Sequence, residues 1–278
     1  MGSPSAPTAV LIMGVSGQYI HWPDAFCEAL VDMGLQVVRF DNRDAGRSSH
    51  MTGAPRPNLP AALAGDLSSA SYTLSDMAAD TVGLLDAIGL AKAHVVGASM
   101  GGMIAQTIAI EYPDRVRSLT SMMSSTGNPM VGQPAPGTLR ELFSGPPAVT
   151  KEEVVAQMIR SRRVVGSPAY PGDDEEIAAR AALAFDRGHD PTGTARQAIA
   201  TIASGDRTEK LRKLTLPALV IHGLADRMID VSGGRATAEA IPGAELVVID
   251  GMGHDLPPGL RAELAARIAE FVWRVERS

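Results

Sequence analysis

Short apolar and β-branched runs alternate along the chain with longer stretches in which apolar residues recur every three or four positions. That alternation predicts a mostly parallel sheet with helices on both faces. Strands are expected at 9–13, 36–40, 93–96, 117–122, 218–221 and 245–249. Between the first two, Pro23 suits a helix start, Phe26, Leu30 and Met33 fall on one face, and Gly34 stops the helix. Thr73 and Asp76 have the spacing of a capping box for a helix running to about residue 88. A further helix is expected at 100–111, ended by Pro113, and a last one at about 260–275, with Leu264, Ile268, Phe271 and Val275 at helical spacing.

From 125 to 207 the strand pattern stops, and proline- and glycine-rich stretches at 129–136, 145–147 and 168–172 separate short helical segments. Strands resume at Ala218, so the segment reads as an insertion between two strands of one sheet, covering one end of it. The expected organisation is a doubly wound α/β core, 1–124 and 208–278, with a helical cap at 125–207. No internal repeat, heptad or low-complexity tract is visible.

A chain of 278 residues, 45% hydrophobic and 20% charged, has the composition of a globular protein with one large core. The net charge of −6 leaves no basic excess to neutralise phosphates, so nucleic acid is not an expected partner. The single cysteine, Cys27, cannot form an internal disulfide, is expected in helix packing, and suits a reducing compartment. The N-terminus lacks a positive leader region, and the run at 9–13 is too short for a signal or a membrane span. A cytoplasmic location without membrane insertion is therefore expected, with homo-oligomerisation left open.

The strand ending at Val96 runs into Gly97-Ala98-Ser99-Met100-Gly101-Gly102 and then a helix. A serine at the apex of such a strand–turn–helix projects its hydroxyl from the end of the sheet, and small residues two before and two after it avoid collision with the flanking elements. The pattern is too short to be specific by itself. Its spacing differs from G-x-G-x-x-G, and no Lys-Ser or Lys-Thr follows as a P-loop requires.

A serine hydroxyl attacks at neutral pH only if a histidine takes its proton and an acid fixes that histidine's tautomer. Downstream, one buried strand leads through His222-Gly223-Leu224-Ala225 to Asp226, and the next through Asp250-Gly251-Met252-Gly253 to His254. Both loops leave the end of a parallel sheet where ligands bind. Ser99, Asp226 and His254 are thus the expected nucleophile, orienting acid and base, with Asp230 the alternative acid. The amide of Met100, directly after the serine, and that of Val15, in the glycine-containing loop after the first strand, are the expected oxyanion donors. His94 and His222 are expected to pack, His50 and His189 to sit in polar loops, and His21 is a minor candidate for the pocket. The charges of 41–48 read as a self-satisfied loop network rather than a carboxylate site. Met13, Met100 and Met103 near the motifs, with few charges in the cap, favour a small or medium apolar acyl group, although methionine is more often core filler. No metal-ligand cluster is visible, and no cofactor is expected.

With these residues in place, the chain resembles the α/β-hydrolase superfamily, and within it the antibiotic methylesterases of the aclacinomycin methylesterase type. The resemblance is carried by Val10-Leu11-Ile12-Met13-Gly14, Trp22-Pro23-Asp24, the run from Arg39 to Ser48, His94 to Gly101, and Gly251-Met252-Gly253-His254. It implies a Ser99–Asp226–His254 triad, oxyanion donors at Val15 and Met100, and a helical cap. Relatives begin with an antiparallel strand pair that Met1–Thr8 does not supply, so either that pair is absent or the chain begins late. The function expected is cleavage of a small-molecule carboxylic ester, of a short or medium acyl group or a methyl ester. The alternatives are a cofactor-free perhydrolase or haloperoxidase, a lactonase, or a non-catalytic ligand-binding protein on the same scaffold. Haloalkane dehalogenases and epoxide hydrolases need aspartate where Ser99 stands.

Overall fold

The computed structural model describes residues 1–144 and 148–278; the expected glycine- and proline-rich stretch at 145–147 lies outside the described residues. In chain order the elements are β1 (Thr8–Ile12), α1 (Asp24–Asp32), β2 (Gln36–Arg39), α2 (Leu59–Leu63), α3 (Leu74–Ala87), β3 (Ala93–Ala98), α4 (Met100–Glu111) and β4 (Val116–Met122). There follow α5 (Thr138–Phe143), α6 (Lys151–Val165), α7 (Asp174–Gly188), α8 (Pro191–Ser204), α9 (Thr208–Leu211), β5 (Ala218–Gly223), α10 (Val231–Ala240), β6 (Glu245–Ile249) and α11 (Arg261–Glu276).

The strands form one six-stranded sheet in the order β2-β1-β3-β4-β5-β6, with every pair parallel. β1, β3 and β5 are buried along their whole length, which is why they read as unbroken apolar runs rather than as alternating ones. Successive side chains still divide between two cores. Val10, Ile12 and Val95 pack with Leu74, Met77, Leu85, Ile104 and Ile108 of α3 and α4. Ala9, Leu11 and Val96 pack with Phe26 and Leu30 of α1 and with Leu264, Ile268 and Phe271 of α11. Cys27 belongs to this second core, where burial pushes its thiol up to about 11. Met33, expected on the apolar face of α1, instead follows its last turn and is exposed.

The winding reverses between β1 and β3: β2 is laid down on one side of β1 and all later strands on the other. At such a switch point the loops after the two strands part and leave a crevice at their C-terminal ends. The loop after β1 and the Ser99 turn after β3 flank it. The expected capping box is present at α3, where the Thr73 amide donates to Asp76 at 2.8 Å. Among the described residues no antiparallel strand pair precedes β1, although Met1 and Val37 exchange backbone hydrogen bonds in both directions, each 2.9 Å.

The segment between β4 and β5 carries α5–α9 and, among its described residues, no strand. Its two ends run side by side. The Arg207 amide donates to the Thr126 carbonyl at 2.9 Å, and the Arg207 guanidinium reaches the Ser125 carbonyl at 3.0 Å, the Gly205 carbonyl at 3.1 Å and Gln106 Oε1 on α4 at 3.1 Å. Arg207 is 4% exposed, and burial pulls its guanidinium down to about 10. Replacing it by Met leaves buried acceptors unpaired; the expected cost is about 3 kcal/mol of unfolding free energy, read as a lower urea midpoint at constant slope.

Three of the charges of 41–48, those of Asp41, Arg43 and Asp44, are paired from outside the loop rather than within the self-contained network expected. Asp44 pairs with Arg196 of α8 at 2.8 Å, Asp41 with Arg187 of α7 at 2.6 Å, and Arg43 with Asp80 of α3 at 2.5 Å. Tyr72 adds a hydrogen bond to Asp44 at 2.8 Å. Burial works against ionisation of Asp44, but Arg196, the Met51 amide and Tyr72 outweigh it and hold its carboxyl below the usual range. The loop is therefore the seat on which α7 and α8 dock.

Candidate active site

Ser99 sits between β3 and α4 with φ 57° and ψ −124°, a left-handed conformation that costs an L-residue energy and persists only where its surroundings enforce it. The enforcement is visible at the flanking glycines. A Cβ at Gly97 would lie 2.0 Å from the Gly101 carbonyl oxygen, and one at Gly101 would lie 2.0 Å from the Ile12 carbonyl oxygen. The turn is thus wedged against β1, and its serine faces Gly14, where an added Cβ would come 2.9 Å from Ser99 Cβ.

The three residues expected to act together meet here. Ser99 Oγ lies 3.0 Å from His254 Nε2, and His254 Nδ1 lies 2.7 Å from Asp226 Oδ2. Asp226 Oδ1 accepts the amides of Met228 at 2.8 Å and Ile229 at 2.9 Å. Burial of this carboxylate, 5% exposed, opposes its charge. The charge of His254, hydrogen bonds from His222 and His254, and the Ile229 amide prevail and hold it well below the ordinary carboxylate range. With an anion opposite Nδ1, the proton of a neutral His254 resides on Nδ1, leaving Nε2 free to accept from the serine. Asp230, the alternative acid, is occupied elsewhere: it accepts the Ser232 amide at 2.9 Å as the N-cap of α10.

His254 is steadied by the insertion. Its amide donates to Val165 at the end of α6 at 2.6 Å, and its carbonyl accepts from Arg162 at 3.3 Å. The preceding Gly253 amide donates to Ser167 Oγ at 2.9 Å, whose proton goes to Asp255 at 2.5 Å.

Val15 and Met100 are both placed at the crevice, Val15 in the turn closed by the Gly17 amide and the Gly14 carbonyl at 3.0 Å, and Met100 as the first residue of α4. The Asn42 side chain fixes the start of that loop by donating to the Met13 carbonyl at 2.8 Å. The Ser16 amide donates to Gln197 Oε1 of α8 at 2.7 Å.

The other histidines divide as their surroundings dictate. His94 is buried between Ser118 Oγ at 2.8 Å and Glu276 at 3.1 Å. His50 pairs with Asp190 at 2.7 Å, and His189 is exposed. His21 lines a small cavity with Arg162, Asp255 and Leu256, where burial and then Arg162 lower its pKa to about 4 and keep it neutral. His222 does more than the packing expected of it. Its Nε2 donates to the Ile229 carbonyl at 2.8 Å and lies 3.5 Å from Asp226 Oδ2, so it braces the acid's loop. A buried histidine four residues before the acid was the available signal. Met13, Met100 and Met103 are core side chains, the commoner of the two roles expected of them. Asp44, His50 and Asp190 converge closely enough to suggest a cation, but Arg196 already lies 2.8 Å from Asp44 and 3.7 Å from Asp190 and supplies the positive charge.

Residues 10–257 match the family model described as the alpha/beta hydrolase fold. The chain belongs to the α/β-hydrolase family. It is 32% identical to a rhodomycin D methylesterase of Streptomyces peucetius, a match covering 96% of this chain and 91% of that protein. It is 26% identical to a putative carbamate hydrolase of Caulobacter, over 91% of this chain and 86% of the relative. In fold, this hydrolase superposes on a meta-cleavage product hydrolase of Pseudomonas fluorescens with a TM-score of 0.77 at 20% identity, covering 99% of this chain and 92% of that one. No helix among the described residues of this family member is long and apolar enough to cross a membrane.

Proposed function

We propose that this protein is a carboxylic ester hydrolase working through an acyl-enzyme, with Ser99 as nucleophile, His254 as base and Asp226 as its orienting acid. The observation that carries the reading is the unbroken relay from Ser99 Oγ through His254 to Asp226, 3.0 and 2.7 Å, ending on a serine held at positive φ. In the first half-reaction Ser99 Oγ bonds to the ester carbonyl carbon while its proton passes to His254 Nε2. The tetrahedral oxyanion is met by the amides of Met100 and Val15. Collapse breaks the ester C–O bond, and His254 returns the proton to the departing alkoxide, which leaves as the alcohol. Water then repeats the sequence on the acyl-serine and releases the acid.

The segment 125–207 serves as the lid, since α6 touches the His254 loop and α8 the loop after β1. The substrate is a small-molecule methyl ester; the 32% identity to a rhodomycin D methylesterase supports this choice. Asp226 stays ionised on acidification, because its surroundings hold its carboxyl well below the ordinary range, so the orienting anion persists in mildly acidic solution.

A panel of methyl esters, p-nitrophenyl esters, lactones and acetate with peroxide tests the proposal. Methanol release from the methyl esters, with kcat/KM above that for the lactones and no peracetic acid formed, is the expected outcome. Tight binding of the esters without turnover would sink the enzyme reading.

A further inference from the structure

The loop after β1 is built from both halves of the molecule. Residues Gly14-Val15-Ser16-Gly17 form a turn closed by the Gly17 amide on the Gly14 carbonyl at 3.0 Å. Ser16, its third residue, has φ 60°, whereas Val15 is not in the left-handed region. That sign pattern belongs to a type II turn, which favours glycine at the third position. Here a serine occupies it, so something outside the turn must hold the conformation.

That something is Gln197. It is fully buried on α8, a helix of the insertion. Its Oε1 accepts the Ser16 amide at 2.7 Å, and its Nε2 donates to the Arg43 carbonyl at 2.7 Å. A backbone amide only donates and a carbonyl only accepts, so the two contacts fix which end of the carboxamide is oxygen. Arg43 is in turn tied to Asp80 of α3 by two hydrogen bonds, at 2.5 and 2.7 Å. One buried side chain from the insertion is therefore clamped between the core and the peptide that joins Val15 to Ser16.

Type I and type II turns differ by a flip of that central peptide. In the flipped form Ser16 would return to negative φ and relieve its strain, but its N–H would turn away from Gln197. The strain and the hydrogen bond are similar in size, so a single contact selects the turn. The flip itself reverses the Val15 carbonyl and the Ser16 N–H; the Val15 N–H lies on the preceding peptide and is displaced only as the loop loses its anchor on Gln197.

We propose that Gln197 is a positioning residue that sets the oxyanion loop, making the rate of the chemical step depend on docking of the insertion. The proposal rests on the reading of Val15 as an oxyanion donor. Gln197 makes no contact with the reacting atoms; it acts through Ser16. Binding of the ester in its ground state needs no oxyanion donor, so the effect falls on kcat and on the affinity of tetrahedral adducts, not on KM.

The test uses the full chain, p-nitrophenyl acetate as substrate and 2,2,2-trifluoroacetophenone as a ketone that forms a tetrahedral adduct with the serine. Gln197→Leu is expected to lower kcat about 10- to 100-fold, the effect of misplacing a catalytic group by roughly an ångström, with KM changed by no more than about twofold. The inhibition constant of the ketone should rise in step with the loss of kcat. Adding Ser16→Gly to Gln197→Leu should recover most of the loss, because glycine holds positive φ without outside help. An unchanged kcat in a folded Gln197→Leu protein overturns the proposal, and so does a loss that Ser16→Gly fails to repair, which would mark Gln197 as packing alone. If Gln197→Leu does not fold, Gln197→Met, closer in shape, takes its place in the same assays. Val15→Pro, which deletes that N–H at a turn position proline favours, separates the two layers. Full activity there rejects Val15 as donor and the inference with it; loss there beside a normal Gln197→Leu rejects the inference alone.

Discussion

Ser99→Ala is expected to lower kcat for p-nitrophenyl acetate by about 10⁴- to 10⁶-fold and to abolish covalent labelling by a fluorophosphonate, with the thermal midpoint little changed. The size follows from what the change removes. Alanine takes away the atom that bonds to the carbonyl carbon but leaves the Met100 and Val15 amides and the binding surface, so only the catalysis those supply survives. The midpoint should hold because the hydroxyl's hydrogen bond to His254 is part-exposed, while the backbone at position 99 is held by other contacts: its amide to the Met122 carbonyl at 2.9 Å and its carbonyl to Ser124 Oγ at 2.8 Å. Labelling that persists in Ser99→Ala would place the nucleophile elsewhere.

Asp226→Asn is expected to cost about 10³- to 10⁴-fold in kcat while the fold survives. Asparagine is nearly isosteric, but the site dictates which way it points. The Met228 and Ile229 amides both donate to Oδ1, so the carboxamide oxygen stays there and the NH₂ group takes the place of Oδ2. A donor then faces His254 Nδ1. The imidazole answers by carrying its proton on Nε2, the atom that must accept from Ser99. The NH₂ also meets the Nε2–H of His222 across 3.5 Å, which adds an unfavourable donor–donor contact. Steady-state rates and slower fluorophosphonate labelling at neutral pH check this; a loss under about tenfold would show that His254 does not depend on Asp226 for its tautomer.

The parallel core was legible because its strands and helices carry their own signals. Unbroken runs in β1, β3 and β5, the capping box of α3 and the apolar stripe of α11 are local features, and the Ser99 turn is one too. Even there the boundaries moved, since β3 continues through Gly97 and Ala98 into the turn itself. α10 escaped detection because Gly233 and Gly234 weaken its helical pattern; a Cβ at 233 would come 2.8 Å from Ser125 Cβ, and one at 234 would come 2.4 Å from the ring of His222. The insertion was legible as an interruption and little more. Its helices bury polar residues such as Arg196 and Gln197, whose partners Asp44, Arg43 and Ser16 lie about 150 residues or more earlier in the chain. A periodicity search scores such residues as solvent-facing, so the docking surface and the support of the loop after β1 emerge only when the chain is closed.

The wedge of Gly97 and Gly101 against β1 bears on how this enzyme can be diversified. Because a methyl group at either position would run into backbone, the height and tilt of Ser99 are out of reach of single substitutions there. Libraries aimed at new esters should leave that turn untouched and draw their variation from the segment between β4 and β5, where the end of α6 meets the His254 loop. Changes on α8 near Gln197 are expected to alter turnover together with selectivity, and are better screened for rate than for binding.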